Sequence, residues 1–264
     1  MANTYGRKSG GANWIVVAVI AFVVLSLAGG AFNFLQRATP EGKAAQLTEN
    51  YDSQFMNDPR FGGVFTKFKT EFPADYEHMK SQVIAAVRAG ASDEQVSDIF
   101  GTYMRHFMLT HNADLAAAPS VNLKDIRAVQ LQAILALQKT SDEQCSGFFT
   151  TGGMDVEHSD PAAIDAMASL TSVTMDAIVA GRDTPAVHAK LTTADDVAFV
   201  RSLRSHGMTQ DQLAIFTDSK KLAAATAHDR CAIGVITMQT LADEPDGLAD
   251  KLTVEIIRSA ARPA

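Results

Sequence analysis

Residues 76–108 read YEHMKSQVIAAVRAGASDEQVSDIFGTYMRHFM, and this stretch decides the fold class. Tyr76, Met79, Val83, Ile84 and Val87 recur at steps of three, four, one and three, which places them on one face of a helix. Val96, Ile99, Phe100, Tyr103, Phe107 and Met108 repeat the pattern more strongly. Between the stripes stands a stop and a start. Gly90 supplies the residue that ends helices in the left-handed conformation, and Ser92-Asp-Glu-Gln95 is a capping box. In that box the serine hydroxyl and the glutamine three residues later satisfy amides that have no intrahelical partner. Two amphipathic helices follow.

Outward from there the same grammar continues. Helices are expected near 122–138, 161–181, 194–206, 210–242 and 246–261, the fourth with a break near Thr217 to Ser219. Gly207 followed by Thr209-Gln-Asp-Gln212 repeats the stop and capping box, and Asp160-Pro161 is a start with proline at the first helical position. Phe61, Phe65 and Phe68 fit a first core helix better than a stretch lying on lipid headgroups. Met79, Met104, Met108, Met167 and Met175 sit at core spacing. No run alternates with period two, so the body, residues 36–264, reads as all-α, with about six to eight helices of ordinary length. The segment TTGGMDVEHS, 150–159, is the clearest internal loop and a possible subdomain division. SDEQVSDIF at 92–100 and SDEQCSGFF at 141–149 agree at six of nine positions. Capping chemistry accounts for that likeness more simply than duplication does.

The first 35 residues differ in kind. From Trp14 to Leu35 the chain reads WIVVAVIAFVVLSLAGGAFNFL, enough for roughly 33 Å of helix against a hydrocarbon core of about 30 Å. This is read as a single transmembrane anchor, preceded by a short basic tail, 1–13, carrying Arg7 and Lys8. A cleaved secretory signal is the competing reading, with small residues around 26–31 as its processing site. The apolar stretch resumes with Phe32, Phe34 and Leu35 beyond that site, which favours the anchor. Orientation follows from the basic tail and from the ease with which long domains translocate: amino terminus in the cytoplasm, body in the periplasm of a bacterium, anchored in its inner membrane. Within the span, Ala28, Gly29, Gly30 and Ala31 form a small-residue patch where a partner helix could approach closely.

Arg7 and Lys8 are the only charged side chains before residue 36. The other 21 basic and all 30 acidic side chains follow, a net charge of −9. A duplex-binding surface needs a basic patch, so nucleic acid is not an expected partner. The two cysteines, Cys145 and Cys231, are expected to form a disulfide in an exported domain. His228 and Cys231, three apart, could share a helix face as metal ligands. No CxxC, HExxH, CxxCH, GxSxG or Walker loop accompanies them, and no metal or cofactor is expected. His106 is expected to be partly buried beside Phe107, and His111 to sit at a helix exit. Asp155, Glu157, His158 and Asp160 make the densest polar cluster. As a calcium loop it fails, because Asp160 and Ala166 stand where glycine and a bidentate glutamate belong. The expected function is a membrane-anchored, exported interaction or accessory subunit without catalysis of its own. Its partners would be the lipid bilayer and a membrane or periplasmic protein. The alternative is a periplasmic hydrolase or ligand-binding protein with its site near 155–160.

Overall fold

In a computed structural model, residues 39–153 and 159–260 are described, and every regular element among them is helical. The anchor span 14–35 and its patch Ala28–Ala31 lie outside the described residues, as do Asp155, Glu157 and His158.

The first four helices share an aromatic core. Helix α1, Pro40–Met56, starts at Thr39, whose hydroxyl accepts from the Gly42 amide, and turns Ala44, Leu47, Tyr51 and Phe55 inward. Helix α2, Gly62–Glu71, contributes Phe65 and Phe68, and α3, Pro73–Arg88, contributes the expected stripe of Tyr76, Met79, Val83, Ile84 and Val87. Helix α4, Asp93–Thr110, begins with the expected capping box at Ser92 and Gln95. Gly90, at φ 85°, ends the chain path of α3 in the left-handed region, where other residues are strained. The rings interlock: Tyr51 on Phe55 at 4.4 Å, Phe55 on Phe65 at 4.8 Å, Phe68 edge-on to Phe107 at 5.0 Å. Each such pair adds about 0.5–1.5 kcal/mol beyond area burial.

The remaining helices surround α8, Pro161–Asp183. Its length and composition would suit a membrane crossing, yet Ile164, Met167, Leu170, Met175 and Ile178 are buried inside the protein. It is a core helix. On one side it packs against α2, where the Lys67 ammonium reaches Asp176 at 2.6 Å and the Ser172 hydroxyl at 3.0 Å. On the other it packs against α6, Ser120–Thr140, and the short α5, Asn112–Ala116. Gly181 makes the α5 approach possible: a Cβ there would fall 1.9 Å from the Asp114 carbonyl oxygen. Helix α7, Asp142–Thr151, and α12, Ala227–Asp243, close over α6, and α13, Asp246–Ala260, covers α5 and α6. Helix α6, before the 150–159 segment, packs against α8 and α12, which follow it.

Three further helices, α9 (Thr193–Ser205), α10 (Gln210–Phe216) and α11 (Ser219–Ala224), lie at the side of α12. Thirteen helices in the described residues exceed the expected six to eight, because several are single turns or two. The stretch 210–242 holds two breaks rather than one. Asp218 caps α11 by accepting from Lys220 and Lys221, and Thr226 caps α12 by accepting from Asp229. The second break was legible as a hydroxyl followed three residues later by a carboxylate.

Candidate functional site

The seam between α7 and α12 holds the sequence-predicted cysteines. Ser141 caps α7, its hydroxyl accepting from the Gln144 amide, and this sets Cys145 on the buried face beside Phe148 and Phe149. Cys231 lies on the buried face of α12. The two are paired as a disulfide with Cα atoms 5.2 Å apart, and both are out of reach of solvent. Around them the seam is tied by polar contacts. Arg230 donates from Nε to the Ser146 hydroxyl at 2.6 Å and from Nη1 to the Ala225 carbonyl at 2.6 Å. His228 meets the Asp142 carboxylate at 2.8 Å, and that hydrogen bond and charge raise the imidazole above its ordinary value. With Cys231 oxidised and His228 turned to Asp142, the two do not form a ligand pair.

Of the acidic–histidine cluster, Asp160 alone is described. Its carboxylate accepts from the Ala162 amide as the cap of α8. That is helix-starting chemistry, as the Asp160-Pro161 pair implied. His106 is exposed, contrary to expectation, because it lies one position outside the Tyr103, Phe107 stripe. His111 is the cap at the exit of α4. Its ring rests on Phe107 at 4.6 Å and Phe72 at 5.0 Å, with Nδ1 3.1 Å from Asp114 and Nε2 3.9 Å from Asp75. Tyr103 donates to the Asp75 carbonyl at 2.8 Å, and burial followed by the nearby Asp75 charge pushes its phenol well up. The corner ties α3, α4 and α5 together through the contacts of His111 and Tyr103 with Asp75, Asp114, Phe72 and Phe107.

Two polar centres escaped the sequence reading. The first is Asp52 on α1. Its carboxylate accepts from the Tyr76 hydroxyl at 2.8 Å and from Lys80 at 2.9 Å, and it also pairs with Lys69. Burial works to raise this carboxyl, but the hydrogen bonds from Lys69, Lys80 and Tyr76 outweigh it and hold it far below the carboxylate range. The Lys80 ammonium lies 5.5 Å from the Tyr51 ring centroid and Lys69 5.8 Å from that of Tyr76, so both cations also face aromatic rings. The centre is half-exposed and joins α1, α2 and α3. Nothing in its local sequence separates it from a solvated helix face.

The second is buried. Arg127 on α6 donates to Asp250 on α13 at 2.8 Å, with the two side chains only 3% and 7% exposed. Ser120 also donates to Asp250. Asn112 reaches across to the Ile257 carbonyl at 2.6 Å. A signal existed here. Arg127 interrupts the stripe Leu123, Ile126, Gln130, Ala133, Ile134, and a cation on a buried face requires a partner. Among the described residues, no three His, Cys, Asp or Glu side chains gather as metal ligands. No protein-family model, curated protein or solved structure matches the chain, so the functional reading rests on these contacts and on the sequence.

Proposed function

We propose that the protein is a single-pass, membrane-anchored accessory or interaction subunit. Residues 1–13 stay in the cytoplasm, 14–35 cross the bacterial inner membrane, and the helical body works in the periplasm, where it binds a protein partner and performs no catalysis of its own. The observation that carries this reading is the 22-residue apolar run, Trp14 to Leu35, set in a leader with no acidic residue. Two further points support it. A disulfide inside the body suits an oxidising compartment. Several charged groups of the body tie helices together, at Asp52, Arg127, Arg230 and Lys67, an arrangement that suits a rigid presenting scaffold. Asp160, one of the four residues on which the hydrolase alternative depends, is spent as a helix cap.

The reading is tested by fusing a reporter that matures only outside the cytoplasm after Ala264, and by purifying the tagged protein in mild detergent. An active reporter on a product of uncleaved mass, with a stoichiometric partner retained, is expected. A cytoplasmic signal overturns the orientation, and a product beginning near residue 29 or 32 overturns the anchor. Gly30→Leu should weaken partner recovery while insertion persists, because the small-residue patch lets a second helix approach. Undiminished recovery would reduce the span to a tether.

A further inference from the structure

We infer that one end of the helical body, formed by Pro40, Gly90 and the first turn of α4, is held against the bilayer surface, while the exit of α4 and the 184–192 loop point away from it. This rests on the anchor reading above and adds an orientation to it. The start of α1 and the turn between α3 and α4 share one end of the body: a Cβ on Gly90 would lie 3.8 Å from Pro40 Cγ. Only Gln36, Arg37, Ala38 and Thr39 separate Leu35 from Pro40. Five extended steps reach about 17 Å at most, so an anchor ending at Leu35 cannot let that end drift far from the lipid. Helix α4 starts at this end and runs for 18 residues, about 27 Å, away from it.

The two ends differ in what they offer. At the Pro40 end, the two cations Lys43 and Arg88 stand among the three acids Glu41, Asp93 and Glu94, a net charge of only −1 that a charged bilayer neither draws in nor drives off strongly. Tether length therefore sets the apposition. At the other end, the 184–192 loop is stitched to the α5–α6 turn. The Ala186 amide donates to the Ala117 carbonyl at 2.7 Å, and the His188 ring nitrogen meets the Ala118 carbonyl at 2.7 Å. Between those two anchor points Val187 is completely exposed, and Val121, four residues beyond Ala117, is 64% exposed. A body standing on its Pro40 end carries this loop away from the bilayer.

The test uses the full chain with one added thiol, Ala89→Cys or Leu109→Cys. Both positions are exposed, and the native cysteines are buried in their disulfide, so a small fluorescent maleimide labels only the new residue. Each protein is reconstituted into phosphatidylethanolamine–phosphatidylglycerol vesicles with and without a nitroxide quencher on the lipid headgroup. Fluorescence should be lost at residue 89 and retained at residue 109. Equal loss at both sites means the body lies on its side, and loss at neither, with the protein floating with the vesicles, means it stands clear; either overturns the orientation and leaves the anchor intact. Failure to float with vesicles overturns the anchor, and this inference with it.

Discussion

Helices α1–α4 and helices α6–α8, α12 and α13 solve the same packing problem with different materials. The first group buries ten aromatic side chains, from Tyr51 to Phe107, whereas the second buries two, Phe148 and Phe149. Large rings fill wide gaps between helices and leave room at the edges, and there the Asp52 centre sits half in solvent. The second group relies on small and aliphatic residues, which draw backbones close, as at Gly181. Two of its ties are sealed in, Arg127 with Asp250 and the disulfide, while Arg230 reaches Ser146 from a half-buried position. One expects the two groups to answer differently to removal of chemically similar ties. In the first a lost charge is replaced by water, and in the second it leaves an unpaired group in the dry interior.

The largest effect should come from the disulfide. Replacing Cys145 and Cys231 by alanine frees a loop of 86 sequence steps. The chain-entropy relation puts that at roughly 4–5 kcal/mol, as an upper figure. Hydrogen exchange should show α7 and α12 losing protection while α1–α4 keep theirs. Equal loss in both groups would break the comparison and make the body one cooperative unit.

Next comes the buried pair. Arg127→Met strands the Asp250 carboxylate and should cost about 3–5 kcal/mol in denaturant unfolding. The joint change Arg127→Met with Asp250→Leu should recover much of that loss, since an apolar pair of similar volume carries no desolvation penalty. If the joint variant is no more stable than the single one, charge burial is not what makes this seam sensitive.

The corresponding change in the aromatic group is Asp52→Asn, and there the expected loss is only about 1 kcal/mol, because water screens a half-exposed centre. Its sign with pH is also set. The folded carboxyl is held below its unfolded value, so its contribution is present above about pH 4 and fades as the pH falls further. Stability curves of the native protein and the Asp52→Asn variant should therefore converge on acidification. A gap that stays constant down to the acid limb would remove the charge from the explanation.

These centres also show what a sequence can and cannot disclose. The helices of 73–110 and the start of α10 were readable because apolar spacing and capping boxes are local, and the structure places Ser92 with Gln95 and Thr209 with Gln212 in such boxes. Helix α1 carries an equally regular stripe, Ala44, Leu47, Tyr51 and Phe55, but its weak contrast with polar neighbours hid it. Cys145 and Cys231 could be matched because two cysteines allow one pairing. Asp52 could not be matched with Lys69 and Lys80, since a surface-exposed carboxylate has many equivalent lysines in the chain and only packing selects among them. Asp160 could be read as a cap because the proline after it marks the first helical position, and its carboxylate accepts from the Ala162 amide.

The smallest effect separates α9 from the rest. At its exit His206 contacts two acceptors, the Ser202 carbonyl at 2.9 Å through Nδ1 and the Asp243 carboxylate of α12 at 3.1 Å through Nε2. A neutral imidazole has one N–H and can donate to only one of them, so the full geometry needs the protonated ring. The Ser202 hydrogen bond raises the imidazole, partial burial opposes it, and Asp243 raises it further, with Glu244 adding to the negative field. Asp243 in turn is lowered, chiefly by the hydrogen bond from Gln239 and then by His206. A folded value above the unfolded one means that the stabilisation is complete below about pH 6.5 and is lost as the pH rises through the folded value. Since Asp243 is half-exposed, the contribution should stay under about 1 kcal/mol, too small to shift global unfolding but enough to register locally. The amides of the last turn of α9 should therefore exchange faster at pH 8 than at pH 5.5 once the intrinsic base dependence is divided out, and His206→Gln should flatten that difference. A pH dependence that survives the substitution would place the sensitive group elsewhere and leave His206 out of what fastens α9, which is also held by the buried Phe199 and Leu203 and by Lys251 with Asp195 at 3.0 Å.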